Sequence, residues 1–228
     1  MRKKPNLDRR LAECEKYIVS DPLAMKGRWG DNLRAELGCG KGSFTFRTAE
    51  AEPDANIIAI ERVESALVMA AEKIRKAQLT NVRFISTDAA LLPEMFGEGE
   101  LEIIYINFCD PWPKSRDAKF RLTSPGFLRR YATVLKDGGE LRFRTDNLPL
   151  FEWSTEQILA EGWEITELTN DADNAIKTDY EEKFFAQGVK INMLTAVRTQ
   201  NTRSMKDGEV ERLRNAALSD AKCFSSGG

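Results

Sequence analysis

From about residue 33 onward, short apolar runs alternate with stretches in which apolar residues recur every three or four positions. The first pattern suits a strand buried on both faces and the second a helix with one apolar stripe. Their alternation predicts βαβ units and a parallel sheet. Strands are predicted at Leu33 to Leu37, Asn56 to Glu61, Val82 to Thr87, Leu101 to Phe108 and Glu140 to Thr145, with a less regular pair at Trp163 to Thr169 and Lys190 to Arg198. Helices are predicted near Ser43 to Ala51, Glu64 to Gln78, Ser124 to Leu135 and Leu150 to Glu161. The expected fold class is α/β, a mostly parallel seven-stranded sheet with helices on both faces. Asp137-Gly138-Gly139 is expected to stop one helix before a strand, and the polar stretch Asn170 to Thr178 reads as a flap between the last two strands.

Outside the periodic region the chain changes character. Residues 1–32, with Arg2, Lys3, Lys4, Arg9 and Arg10, show little periodicity and read as a basic arm packed on a domain spanning 33–200. Residues 201–228 form a polar tail, within which Glu209 to Lys222 suggests a short helix. A chain of 228 residues is long enough to bury its own core without disulfide or metal support. With 42% hydrophobic and 31% charged residues it matches neither a disordered chain nor a membrane protein, and no apolar run approaches the roughly 18 residues of a membrane span. The expectation is a soluble, unexported protein of the cytoplasm, monomeric or homodimeric.

Two counts narrow the chemistry. Histidine is absent, which removes Ser-His-Asp and Cys-His nucleophile systems and every His-containing metal site. The four cysteines form no C-x-x-C pair, so reduced thiols and no bound metal are expected. A net charge of −2 means that any polyanion must be met by a local basic patch.

Glu36-Leu37-Gly38-Cys39-Gly40-Lys41-Gly42 stands where a strand ends and a helix begins, so its glycines permit a tight turn that lets a ligand touch backbone. A dinucleotide fingerprint would need glycine where Ser43 stands. E-x-G-x-G-x-G resembles instead the first motif of S-adenosylmethionine-dependent methyltransferases. That cofactor carries an α-amino group, which Glu36 suits, and no pyrophosphate. Glu61, at the end of the second strand, stands where an acid accepts both ribose hydroxyls. Asp88, at the end of the third, falls where this superfamily contacts the adenine amino group. Lys41 reads as a solvated helix-start residue.

After the fourth strand comes Asn107-Phe108-Cys109-Asp110-Pro111-Trp112-Pro113-Lys114. Two prolines fix dihedrals and remove two N–H donors, so carbonyls and the Asp110 carboxylate can face a ligand from a stiff frame beside the Trp112 ring. Lys114, Arg116, Lys119, Arg121, Arg129 and Arg130 are expected to form the basic patch, with Lys3, Lys4, Arg9 and Arg10 extending it; Phe120 is expected to face the core, with stacking on an unpaired base as the alternative.

The order E-x-G-x-G-K-G, I-E, N-F-x-D-P-W-P-K, R-L-T, F-x-T-D-N and T-x-Y-E-x-K-F resembles the bacterial tRNA (guanine-N7-)-methyltransferases that modify the variable loop. The blocks lie at Glu36 to Gly42, Ile60-Glu61, Asn107 to Lys114, Arg121 to Thr123, Phe143 to Asn147 and Thr178 to Phe184. The resemblance implies a Rossmann-like methyltransferase fold, S-adenosylmethionine as cofactor and tRNA as partner. It assigns Glu36, Gly38, Gly40, Glu61, Asp88 and Asp110 to the cofactor and catalytic pocket. Lys114, Asp146, Thr178, Asp179, Tyr180 and Glu181 fall to the substrate, and Arg116, Lys119 and Arg121 to the RNA. The family usually shows a more basic, His-containing run after D-P-W-P-K, where this chain has Asp117 and Phe120 among four cations.

Guanine N7 has a lone pair and no proton to lose, so methyl transfer to it needs alignment and charge stabilisation rather than a general base. That agrees with a chain lacking histidine. An RNA amino-methyltransferase is the first alternative, because Asp110-Pro-Trp-Pro is similar to a D-P-P-Y motif, although Trp112-Pro113 replaces Pro-Tyr. A non-catalytic RNA-binding protein on the same fold is the second. An NAD-dependent dehydrogenase is disfavoured by Ser43.

Overall fold

The computed structural model describes residues 6–172, 176, 178, 181 and 188–206. Its centre is a seven-stranded sheet of order β3-β2-β1-β4-β5-β7-β6. The strands are β1 (Leu33–Leu37), β2 (Asn56–Ile60), β3 (Val82–Ile85), β4 (Leu101–Asn107), β5 (Leu135–Thr145), β6 (Glu164–Thr169) and β7 (Asn192–Val197). β1 to β5 run parallel, and β7 lies antiparallel between β5 and β6. The helices are α1 (Leu7–Glu13), α2 (Ser43–Ala51), α3 (Glu64–Ala77), α4 (Leu92–Met95), α5 (Pro125–Val134) and α6 (Leu148–Ala160).

β2 and the middle of β4 are apolar at successive positions because both faces are covered. In β2, Ile58 and Ile60 join a core built with Leu92, Leu128 and Ile158 from α4, α5 and α6, while Ile57 and Ala59 join a second core with Leu67 and Ile74 of α3. Fully burying one such isoleucine stabilises by about 1.5–3 kcal/mol. The seven strands, their mostly parallel sense and the two helical layers agree with the expectation from sequence.

Four differences have local causes. β4 stops at Asn107 rather than Phe108, because Phe108 turns the chain with φ +53°. β2 and β3 likewise end at Ile60 and Ile85, which leaves Glu61 and Asp88 in the turns beyond them. β5 begins at Leu135, so Asp137-Gly138-Gly139 lies inside a strand instead of ahead of one. The Gly138 N–H donates to Arg198 O and the Arg198 N–H to Gly139 O, and a Cβ on Gly139 would sit 2.8 Å from Lys136 O. The arm lies against the domain, and one of the cations expected in the RNA patch is spent on holding it there. α1 is pinned by Arg10, whose Nε and Nη2 both donate to the Glu72 carboxylate on α3 at 2.7 Å. The Val19 N–H then donates to Phe84 O on β3, and the Trp29 indole N–H donates to Met95 O. Arg10 is thereby removed from any RNA patch; Arg2, Lys3 and Lys4 lie outside the described residues, as do 207–228.

β6 ends and β7 begins at the rim where β5 ends, since Thr169 pairs with Met193 and Asn192 with Thr145. The Asn170 side-chain amide donates to Asn192 Oδ1 at 2.9 Å and the Asn192 amide to Thr145 O at 3.1 Å, closing the base of the connection over 170–191. Among the described residues no helix is long and apolar enough to cross a membrane.

Candidate active site

From β1 the chain winds outward to β2 and β3 on one side; β4 and β5 lie on the other. Connections diverge at such a reversal and leave a crevice at the carboxyl ends of the strands. Here the crevice has two lobes, of about 300 and 370 Å³, which meet at Gly38 and Phe108. Glu61, Asp88, Asp110 and Trp112 line the first lobe; Glu36, Phe44, Asn107 and Thr178 line the second.

The turn after β1 is held from below. The Gly38 and Cys39 N–H groups donate to Ile60 O at 2.8 and 3.1 Å, and the Gly40 N–H donates to Glu61 Oε2 at 2.9 Å. Gly42, with φ +72°, is required by packing, because a Cβ there would stand 2.5 Å from that of Ala70 on α3. Gly38 and Gly40 also have positive φ, but a Cβ on either would meet nothing within 4 Å, so their backbone borders open cleft. A ligand can lie against it.

Glu61 has a structural duty that the sequence did not disclose. Its Oε1 accepts from the Val63 N–H at 2.8 Å while Oε2 takes Gly40, so it ties the turn to the start of α3. A carboxylate offers about four lone-pair sites, which leaves two for hydroxyls. Asp88 caps the short turn after β3, accepting from the Ala90 N–H at 2.8 Å, and stands 3.7 Å from exposed Arg62.

Glu36 is only 3% exposed. Thr45 Oγ1 donates to its Oε2 at 2.5 Å and the Asn107 amide to its Oε1 at 3.3 Å. Burial pushes the carboxyl up to about 7, against the opposing pull of those two donors and of the Arg144 charge. This acid titrates at neutrality in a chain without histidine, a consequence of burial that residue type alone could not signal. Burial likewise raises the Cys109 thiol to about 12 and moves the Cys39 thiol well up, so both are protonated at neutral pH.

The Asp110 loop is stiffened by more than its prolines. Phe108 and Trp112 both occupy the left-handed region, with φ +53° and +42°, which costs strain for bulky residues. Arg121 offsets it: Nε donates to Pro111 O at 3.0 Å, Nη2 to Trp112 O at 3.0 Å, and the guanidinium lies 4.4 Å from the Trp153 ring centre. Asp110 and Asp146 are exposed at the ends of the loop and of β5.

This geometry corrects the basic patch. Lys114, Arg116 and Lys119 are exposed on a 3-10 helix (Ser115–Phe120) and its cap, whereas Arg121 braces the loop. Arg129 holds buried Glu161 through two bonds of 2.8 and 3.0 Å, and Arg130 is buried with its guanidinium 5.1 Å from the Phe127 ring centre. The expected core position of Phe120 is also wrong, since the ring is 49% exposed.

Thr178 and Glu181 are buried and cap each other. The Thr178 N–H donates to Glu181 Oε2 at 2.5 Å and the Glu181 N–H to Thr178 Oγ1 at 3.0 Å, a reciprocal capping box. Arg144 on β5 holds this segment, donating to Ile176 O at 2.9 Å and lying 3.6 Å from Glu181. Glu181 therefore positions the segment, while Thr178 reaches the second lobe. Asp179 and Tyr180 lie outside the described residues. Sequence reasoning missed Arg144, Arg121 and Asn107 as supports. Arg144 carried no signal of that role, since its strand also holds Lys136, Asp137, Glu140 and Arg142. Among the described residues no cluster of three or more acidic or thiol groups could hold a metal ion.

Comparison with known proteins adds the following. A protein family described as "Putative methyltransferase" matches residues 31–194. A tRNA (guanine-N(7)-)-methyltransferase of Clostridioides difficile is 41% identical over 202 residues, 83% of this chain and 94% of that protein. One from Listeria innocua is 43% identical over 204 residues, 85% and 95%. Among solved structures, the 16S rRNA methyltransferase KamB superposes with TM-score 0.60 at 16% identity, covering 77% of this chain and 91% of that one. A variant 16S rRNA (adenine(1408)-N(1))-methyltransferase from Catenulisporales acidiphilia, with cosubstrate S-adenosylmethionine, gives 0.57 at 16% identity over 80% and 93%. Those two likenesses concern the fold alone.

Proposed function

The chain belongs to the tRNA (guanine-N(7)-)-methyltransferase family, and from that premise we propose that its two-lobed cleft methylates N7 of a guanine in the variable loop of tRNA. The observation that carries this reading is convergence: the open glycine turn and the acids Glu36, Glu61, Asp88 and Asp110 all face one crevice at the switch point of the sheet.

S-adenosylmethionine, when bound, supplies a methyl group activated by its sulfonium. The donor set fits that group: Glu36 offers a buried carboxylate to the ammonium, Gly38 and Gly40 offer bare backbone, Glu61 has acceptor sites left for ribose hydroxyls, and Asp88 lies further along the same lobe. Asp110 lines the first lobe, two residues after Phe108, where the lobes meet. There its charge accepts from the guanine N1–H and exocyclic amine and offsets the positive charge that develops on the purine. Asp146, exposed at the end of β5 and outside the lining of both lobes, is assigned to the substrate, Thr178 lines the second lobe, and Lys114, Arg116 and Lys119 take phosphates. No residue is asked to remove a proton. The natural setting of such a reaction is the cytoplasm, where tRNA is found, and either a monomer or a homodimer can perform it.

Incubating unmodified bulk tRNA with the protein and labelled donor should yield 7-methylguanosine by mass spectrometry. A methylated exocyclic amine would instead favour the amino-methyltransferase reading. Absence of both transfer and donor binding would leave an RNA-binding protein.

A further inference from the structure

Phe120 is 49% exposed, and the ring it touches, Trp112, lines the first lobe beside it at a centroid distance of 5.3 Å and a tilt of 49°. An isolated exposed aromatic would need no comment, but two adjoining rings at the mouth of a cleft form a surface. We infer that Phe120 and Trp112 are a stacking platform for a nucleobase of the RNA substrate, an unpaired base lying against the rings while its phosphate meets the neighbouring cations. The inference rests on the tRNA reading and deepens it.

Three features support it. The rings are preorganised: Trp112 is clamped through its carbonyl by Arg121, which itself rests on Trp153, and Phe120 ends a 3-10 helix closed by the Arg121 N–H donating to Ala118 O at 3.1 Å. A base that stacks there loses its own freedom but orders little of the protein. The charge is complementary, with Lys119 Nζ 5.1 Å from the Phe120 ring centre and Arg116 77% exposed on the same short helix. That combination of π-face and flanking cation suits a nucleotide, since every base has a stackable face. Finally, Phe120 interrupts a run of four basic residues, so the chain has an exposed ring where the surrounding pattern provides point charges.

The adenine of the methyl donor is the other purine within reach, and the experiment separates the two. Phe120→Ala, Phe120→Leu and Phe120→Tyr would each be titrated with unmodified tRNA in the absence of donor and, separately, with S-adenosylmethionine by calorimetry. Methylation kinetics would be run in parallel. Stacking predicts that Ala and Leu raise the tRNA Kd and KM about fivefold or more. Tyr should restore both, with donor affinity within twofold of wild type throughout. The exposed position predicts unchanged melting temperatures, which checks folding. Unchanged tRNA affinity in Phe120→Ala, or full rescue by Leu, would overturn the platform. Loss of donor affinity with tRNA affinity intact would assign the rings to the donor's adenine and overturn it equally. If wild-type protein methylates tRNA but the variants bind it normally, only the platform falls. If wild type transfers no methyl group, the functional reading falls and the binding titration still decides the platform.

Discussion

Lowering the pH from about 8 to about 5.5 should weaken S-adenosylmethionine binding roughly thirtyfold, through one carboxyl group. Glu36 is protonated in half of the ligand-free molecules at about pH 7, because its burial disfavours the charged form. An ammonium group binds the ionised form, so each unit of pH below 7 costs close to a tenfold loss of affinity, and above 7 the affinity levels off. Calorimetry at pH 7 in two buffers of different ionisation enthalpy should accordingly show release of about half a proton per donor bound. The same group makes a stability statement whose sign can be stated. Its folded value lies above the ordinary 4.5, so the stabilisation is fully present below 4.5 and is lost as pH rises toward 7. At about 1.4 kcal/mol per pH unit the loss comes to about 3.5 kcal/mol. Glu36→Gln keeps the shape and cannot ionise. It should raise the melting temperature of the ligand-free protein at pH 8, abolish proton release and weaken donor binding. An affinity independent of pH between about 5.5 and 8, with no proton released, would refute the assignment of Glu36 to the ammonium.

Glu61→Ala should weaken donor affinity at least tenfold in calorimetry, because two charge-assisted hydroxyl bonds and the brace on Gly40 disappear together. Asp110→Asn should lower kcat about a hundredfold, with a single-turnover rate at saturating donor that is flat from about pH 6 to 9 in the wild type. A steep rise near neutrality under those conditions would reveal a proton acceptor and favour amine methylation. Reversing Arg116 and Lys119 should weaken tRNA binding in filter assays and flatten its salt dependence by somewhat under one unit per lost phosphate contact. Arg129→Glu should instead cost about 3 kcal/mol in denaturant unfolding, since it sets a like charge against buried Glu161. Arg121→Lys keeps the charge but lacks the fork that spans two carbonyls, and should slow transfer roughly tenfold at unchanged donor affinity.

The apolar runs of β2 and β4 were legible because a strand buried on both faces leaves a continuous hydrophobic signature. The helix Ser43–Ala51 could be placed to the residue from Gly42 before it. α1 could not, since its seven residues are held by Arg10 on Glu72, a partner far away in sequence. The same blindness explains the basic patch. Arg116, Arg121 and Arg129 are equivalent as letters, and only folding reveals that Arg121 and Arg129 are held by close hydrogen bonds to carbonyls or a buried carboxylate, while Arg116 stays exposed 3.9 Å from Asp117. The acids at the strand ends were legible because a strand end is a local event. Their second duties, Glu61 as a brace and Glu181 as half of a capping box, depend on which N–H groups the turn brings near them.

The reversal of β7 has an evolutionary corollary. Both ends of the connection over 170–191 are anchored at the same rim by Asn170, Asn192 and Thr145, so this connection can lengthen, shorten or be exchanged without shifting the register of any strand. A chimera carrying another family member's segment between those asparagines should keep the parent's melting behaviour while adopting the donor's choice of tRNA. The fold thus fixes both ends of a connection on whose length no strand pairing depends.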